Sequence, residues 1–153
     1  MSRDPQEFRK PELIQLFKEG CHAVGIGVII TCVGRIEEQQ KALHAQGRKT
    51  TPEVNAMRKV VGWPPITDAE NRKVTWTLKS KHILDENGKC DAFDFGVIKD
   101  GKMIWSIKAD VDHDDIPDYL ECGIVAESLG LEWGGRWTKS PDYPHVQIKA
   151  CND

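Results

Sequence analysis

The chain has 153 residues, enough for one domain of ordinary size with a core of its own. Hydrophobic residues at 39% and charged residues at 29% strike a globular balance that excludes a disordered or a membrane-embedded chain. A net charge of -3 leaves no overall basic footprint, so nucleic acid is not an expected partner.

In chain order, Leu13, Leu16, Phe17, Cys21 and Val24 recur at helical spacing and predict a helix over Pro11 to Val24, ended by Gly25 and Gly27. The β-branched run Val28 to Val33 predicts a buried strand. Ile36 to Gln46 predicts a second helix, stopped by Gly47. Arg48 to Asn71 is polar and carries three prolines, which predicts a long surface segment with a short helix near Val54 to Val60. Val74 to Leu78 alternates and predicts a strand. Ala92 to Lys99 and Lys102 to Ile107 flank Asp100-Gly101, a strong hairpin signal. Ile116 to Leu129 predicts a helix capped by Asp114 or Asp115 and stopped by Gly130. Trp133 to Trp137 reads as a Gly-rich turn and His145 to Ala150 as a last strand. Mixed helices and strands with an antiparallel hairpin make the expected class α+β, one domain over residues 1–153.

Cys21, Cys32, Cys90, Cys122 and Cys151 show no CxxC spacing and read as small buried hydrophobes of a chain that matures reduced. The N-terminus lacks an apolar signal region, and the apolar stretch from Val24 to Val33 is too short to span a bilayer. No stable membrane association is expected. The acidic run from Asp85 to Asp91 reads as a solvated turn rather than a calcium loop. The run from Asp110 to Asp118 reads as a loop entering a helix N-terminus.

Three groups carry chemistry: Ser80-Lys81-His82, Ala92-Phe93-Asp94 and Asp142-Tyr143-Pro144-His145. Each sits at the edge of a predicted strand. Two His and one carboxylate suit a catalytic zinc site, which supplies the Lewis acid that amide hydrolysis needs. A further carboxylate near the metal is needed as general base, and Asp142 is available. By spacing alone, the same residues are more often surface or capping residues.

The string SKHILDENGKCDAFDF resembles the SxHxxGxAxD signature of the D-alanyl-D-alanine carboxypeptidase and L-alanyl-D-glutamate peptidase family. WGGRWTKSPDYPHVQI resembles its closing Trp-Gly-Gly-x-Trp and Asp-x-x-His motif. ITCVGRIEEQQKALHAQGRK resembles its early block of an Arg, a Gln and a Gln-Gly-Arg. The blocks stand in family order from about Val28 to Ile148.

The resemblance implies a hedgehog-like peptidase fold with a small antiparallel sheet flanked by helices. It implies zinc held by His82, Asp94 and His145, with Asp142 activating the attacking water and protonating the leaving amine. Arg35 is implied as substrate-binding or oxyanion-stabilising, and Gln40 and Ser80 as supporting residues, the Ser orienting the imidazole of His82. The interval from His82 to Asp94 is longer than the family's, so Asp91 competes with Asp94 as ligand. Asp94 is preferred because Ala92-Phe93-Asp94 keeps the Ala-x-Asp ending. Gly34 replaces a common Tyr, which suggests an altered substrate wall. Arg136 replaces a common acidic or amide residue, which suggests altered preference around the cleaved bond.

The implied function is a phage endolysin that cuts the L-alanyl-D-glutamate bond of peptidoglycan. It would act as a monomer without a separate wall-binding module, held in the host cytoplasm until a holin releases it. The rivals are a D,D-carboxypeptidase or dipeptidase with the same site, and a non-catalytic domain in which zinc is structural.

Overall fold

The computed structural model describes residues 2–150, and its frame is set by one strand. β2, Ala92–Lys99, alternates Phe93, Phe95 and Val97 on one face with Asp94, Gly96 and Ile98 on the other. Its partners, all antiparallel, are β1 (Gly27–Cys32), β3 (Lys102–Ile104) and β5 (His145–Ile148). β4, Leu131–Trp133, pairs outside β5, giving the order β1-β2-β5-β4 with β3 beside the far half of β2. Asp100 and Gly101 make the β2–β3 turn with φ of 52° and 76°, the left-handed pair that a two-residue hairpin needs.

Four α-helices surround the sheet among the described residues: α1 (Pro11–Ala23), α2 (Glu37–Ala45), α3 (Thr51–Val60) and α4 (Asp118–Ser128). α1 buries Ile14, Phe17 and Cys21, one stripe at helical spacing. Phe17 meets Phe93 and Phe95 at ring-centroid distances of 5.4 and 5.0 Å, and Phe8 meets Phe93 edge-on at 5.2 Å. Tyr119 of α4 lies 5.5 Å from Phe95 and donates its hydroxyl to the Ile104 carbonyl at 2.7 Å. The core thus lies on one side of the sheet, between β2, α1 and α4.

The opposite face of β1 and β2 is open: Ile30 points into the core and Ile29 is exposed, while a bulge after Ile30 sets Cys32 opposite Asp94, buried beside His82. That open face becomes the floor of a cleft. The resulting α+β architecture is the expected one, with local differences. α3 is a full helix from Thr51, because Thr50 and Glu53 form a capping box that offsets the surrounding prolines. Residues 74–78 form no strand; they run as a strap held by the Thr75 hydroxyl and the Thr77 carbonyl, both accepting from Gln40, while Val74, Trp76 and Leu78 stay exposed. What holds this stretch is anchoring to Gln40 rather than ladder pairing. β3 ends at Ile104, short of Ile107. α4 starts at Asp118 rather than Ile116, and its N-cap is Pro117, with no side-chain cap bond among the described residues. The Gly-rich turn is a 3-10 turn over Gly134–Arg136, with Trp133 inside β4.

Cys21, Cys32, Cys90 and Cys122 are buried with no disulfide among them, and Cys151 lies outside the described residues. Asp85 and Asp91 clamp Arg9 at 2.8 and 2.7 Å, which gives the acidic turn a structural use. In the second acidic run, Asp118 accepts the Val111 N–H, while Asp110 accepts those of Asp114 and Asp115. Among the described residues, no helix is long and apolar enough to cross a membrane.

Two predictions follow from this packing. The Trp133 indole lies where a side chain on Gly123 would go, so Gly123→Ala overpacks the α4–β4 contact. Chemical denaturation should show a loss of about 1–3 kcal/mol. Burial, then Asp114 and Asp112 beside it, push the Glu121 carboxyl up to about 7, from 4.5. The folded chain therefore holds a proton that the unfolded chain releases, and stability falls as pH rises from about 4.5 to about 7. Melting of Glu121→Gln should match wild type at pH 4.5 and exceed it at pH 7.5.

Candidate metal centre and its cleft

The pairing of β2 with β5 sets Asp94 directly opposite His145. His82 arrives from a loop that runs beside Arg35, tied by the Arg35 N–H to the His82 carbonyl at 2.8 Å and the Leu84 N–H to the Arg35 carbonyl at 2.9 Å. Three donor atoms meet: His82 Nε2 to Asp94 Oδ1 is 3.1 Å, His145 Nδ1 to the same oxygen 3.1 Å, and the two nitrogens stand 3.3 Å apart.

The outer hydrogen bonds decide which nitrogens face this point. His82 Nδ1 lies 2.7 Å from the Val33 carbonyl, which can only accept, so Nδ1 carries the hydrogen and Nε2 presents its lone pair. His145 Nε2 lies 2.9 Å from Gln147 Oε1. Gln147 is oriented by donating Nε2 to Glu132 Oε2 at 2.8 Å, and Trp137 Nε1 donates to the same oxygen at 3.2 Å. That relay leaves His145 Nδ1 as the inward lone pair.

Three lone-pair donors this close repel one another unless a cation sits among them. Ligands about 2.0–2.1 Å from a tetrahedral zinc stand about 3.3 Å apart, so the observed separations fit such an ion. The electrostatics agree. Burial works against charge on His82, but Asp94 outweighs it and holds the imidazole up to about 10. Burial likewise opposes the Asp94 carboxylate, and His82 with His145 outweighs it, holding Asp94 well below the ordinary carboxylate range. Positive charge is favoured at this point, whether it comes as a proton or a metal ion. Asp91 is not part of the cluster. It is held by Arg9, its N–H donates to the Lys81 carbonyl, and its carbonyl accepts from Ile148 N–H.

Around the three donors stand the other expected residues. Asp142 Oδ2 is 3.9 Å from His145 Nδ1, and its side chain is 49% exposed. Burial, then the neighbouring Asp94, raises its pKa, against the pull of His145, His82 and Arg35. Arg35, only 11% exposed, places Nη2 3.5 Å from Asp94 Oδ2, the oxygen turned away from the histidines. Gln40 is fully buried. It accepts from Arg35 Nη1 at 3.0 Å and donates to the Thr77 carbonyl at 2.7 Å, so one amide holds both the guanidinium and the strap. Ser80 corrects an expectation: its Oγ accepts the His82 backbone N–H at 3.1 Å, fixing the loop, while the Val33 carbonyl orients the imidazole.

The two other departures from the family pattern act away from the cleft. A side chain on Gly34 would meet Leu84 and Glu7, so this position is an interior contact rather than a substrate wall. Arg136 forms a two-bond pair with Glu127 at 3.0 Å and stacks over Trp133, facing α4. The Trp-Gly-Gly string has a packing reason. The Trp133 indole lies against Gly123 and Gly135 and donates Nε1 to the Tyr143 carbonyl at 2.8 Å, and Gly134 approaches the Asp142 carbonyl. Sequence reasoning missed Glu132 and Gln147. Gln147 could have been found from the strand period, which puts it on the His145 face; for Glu132 the sequence offers no comparable signal.

His82, Asp94 and His145, with Arg35, Ser80 and Asp142, line a cleft of about 950 Å³, walled also by Trp76, Lys79, Trp105, Trp137 and Lys139. Residues 75–148, which carry all three donors, match the family model described as D-alanyl-D-alanine carboxypeptidase. The likeness to that peptidase family is carried by this stretch, just under half of the chain. Among curated proteins, the peptidoglycan L-alanyl-D-glutamate endopeptidase CwlK of Bacillus subtilis (strain 168) is 41% identical over 58 residues. That alignment covers 37% of this chain and spans about a third, 35%, of the relative. Among solved structures, the Serratia marcescens L-Ala D-Glu endopeptidase ChiX superposes with a TM-score of 0.53 at 17% identity, covering 97% of this chain and 87% of that one. The likeness of fold to this structure runs through nearly the whole chain.

The relay behind His145 is testable on its own. Gln147→Leu removes the acceptor that sets the His145 tautomer. Zinc affinity, measured by competition with a chromophoric chelator, should fall about 10–100-fold.

Proposed function

We propose that this chain is a zinc-dependent peptidase that cuts the stem peptides of peptidoglycan at the L-alanyl-D-glutamate bond. The observation that carries it is the meeting of His82 Nε2, Asp94 Oδ1 and His145 Nδ1 within 3.1–3.3 Å, beside Asp142 and Arg35 at the base of an open cleft. The activity named for the Bacillus relative supports the choice of bond.

His82, Asp94 and His145 would hold the metal. A zinc ion in such a set supplies Lewis acidity toward water and toward a carbonyl. The chain's own groups do the rest. Asp142, half-exposed and raised in pKa, takes the proton of the attacking water and returns it to the leaving amine. Arg35, fixed by Gln40, presents a preorganised guanidinium to the negative charge that develops on the carbonyl oxygen. Lys79, Lys81 and Lys139 on the cleft wall suit a substrate bearing free carboxylates, as a stem peptide does.

The endolysin role and holin-dependent release belong to the same proposal. Purified wild type is expected to carry about one zinc per chain and to clear outer-membrane-permeabilised Gram-negative cells. His145→Ala should lose both. Asp142→Ala should keep the metal and lose about 10²–10⁴-fold in rate. Mass spectrometry of released peptides identifies the bond: a new D-glutamyl amino terminus supports the proposal, and release of D-alanine alone would replace it with a D,D-carboxypeptidase. Metal-free wild type that clears nothing would overturn the ligand set.

A further inference from the structure

Two indoles in the cleft remain unexplained by the metal centre. Trp105 is 55% exposed and Trp76 is 63% exposed, although both are large apolar groups on a folded surface. Trp105 owes its place to Gly96. With no side chain there, the open face of β2 has a trough filled by the end of Met103 and the edge of the Trp105 indole, whose Cη2 would lie 3.3 Å from a Gly96 Cβ. Gly96 shares its strand face with Asp94, two residues away. Two strand residues span about 7 Å, so the aromatic surface begins roughly that far from the ligand carboxylate.

In peptidoglycan, the stem's L-alanine is amide-linked to the lactyl group of N-acetylmuramic acid. From the L-alanyl carbonyl back to the sugar ring is one amino acid plus one lactyl unit, about 7 Å when extended. The reach matches. The D-glutamyl side carries free carboxylates that suit Lys79, Lys81 and Lys139 of the same cleft, whereas the sugar is uncharged and offers C–H faces that suit an indole.

We propose that Trp105, with Trp76 on the strap as a second wall, forms a saccharide subsite for the N-acetylmuramyl residue on the amino side of the scissile bond. The enzyme then favours glycan-linked stems over free peptides. This rests on the L-alanyl-D-glutamate reading, because a cut at the D-alanine end would leave the sugar several residues away.

The test compares N-acetylmuramyl-L-alanyl-D-isoglutamine with L-alanyl-D-isoglutamine. For zinc-loaded wild type, kcat/KM should be at least about tenfold higher on the muramyl substrate, equivalent to about 1.4 kcal/mol. Trp105→Ala should bring that ratio near one and leave the free dipeptide unchanged, and Trp105→Phe should keep most of the preference. Melting curves confirm that the variants fold. Calorimetric binding of both compounds to the full-length Asp142→Ala protein separates the two claims. Sugar-dependent binding that Trp105→Ala removes, without cleavage of either compound by wild type, would keep the subsite and overturn the bond assignment. Cleavage of both compounds at equal rates, or equal losses on both in Trp105→Ala, would overturn the subsite and keep the peptidase. Neither binding nor cleavage would overturn both.

Discussion

The structure depends on the register between β2 and β5. Asp94 and His145 are 51 positions apart in the chain and become direct neighbours because these strands pair antiparallel with those two residues opposite each other. A one-residue slip would turn Asp94 into the aromatic core and expose Phe93 or Phe95. The alternation that buries the core therefore also aims the carboxylate. Stability and site geometry rest on the same hydrophobic pattern.

Groups outside the cluster orient what the register brings together. The Val33 carbonyl fixes one imidazole, and the Gln147–Glu132–Trp137 relay fixes the other. The Asp142 to His145 turn is held from below by Trp133, whose indole lies against Gly123 and Gly135 while bonding to the Tyr143 carbonyl. Each contact removes a rotational freedom that a metal would otherwise have to freeze, the condition under which a binding site is preorganised.

The cleft adds a second layer of organisation. Gln40 ties Arg35 to the strap over residues 74–78, so the guanidinium and the wall bearing Trp76 share one anchor. The bare face at Gly96 lets Trp105 lie along the floor. Charged and aromatic side chains, Lys79 and Lys139 with Trp76, Trp105 and Trp137, thus line the same cleft as the three clustered donors.

Much of this was legible in the sequence. The periods of α1, β2 and α4 mark the core because burial needs one continuous stripe, and the Asp-Gly turn and the motif strings give the hairpin and the His82, Asp94 and His145 set. What could not be read locally is whatever depends on partners distant in the chain. Alternation over Val74 to Leu78 looks like a strand until Gln40, more than thirty residues earlier, is seen to hold it. Ser80 acts on backbone, Gly34 and Arg136 turn away from the cleft, and Glu132 and Gln147 join the site through bonds that exist only once β4 and β5 are paired. Residue type and spacing determined which chemistry is available. Only the tertiary structure decided which lone pairs face one another, because that is a matter of strand register and hydrogen-bond direction across the sheet.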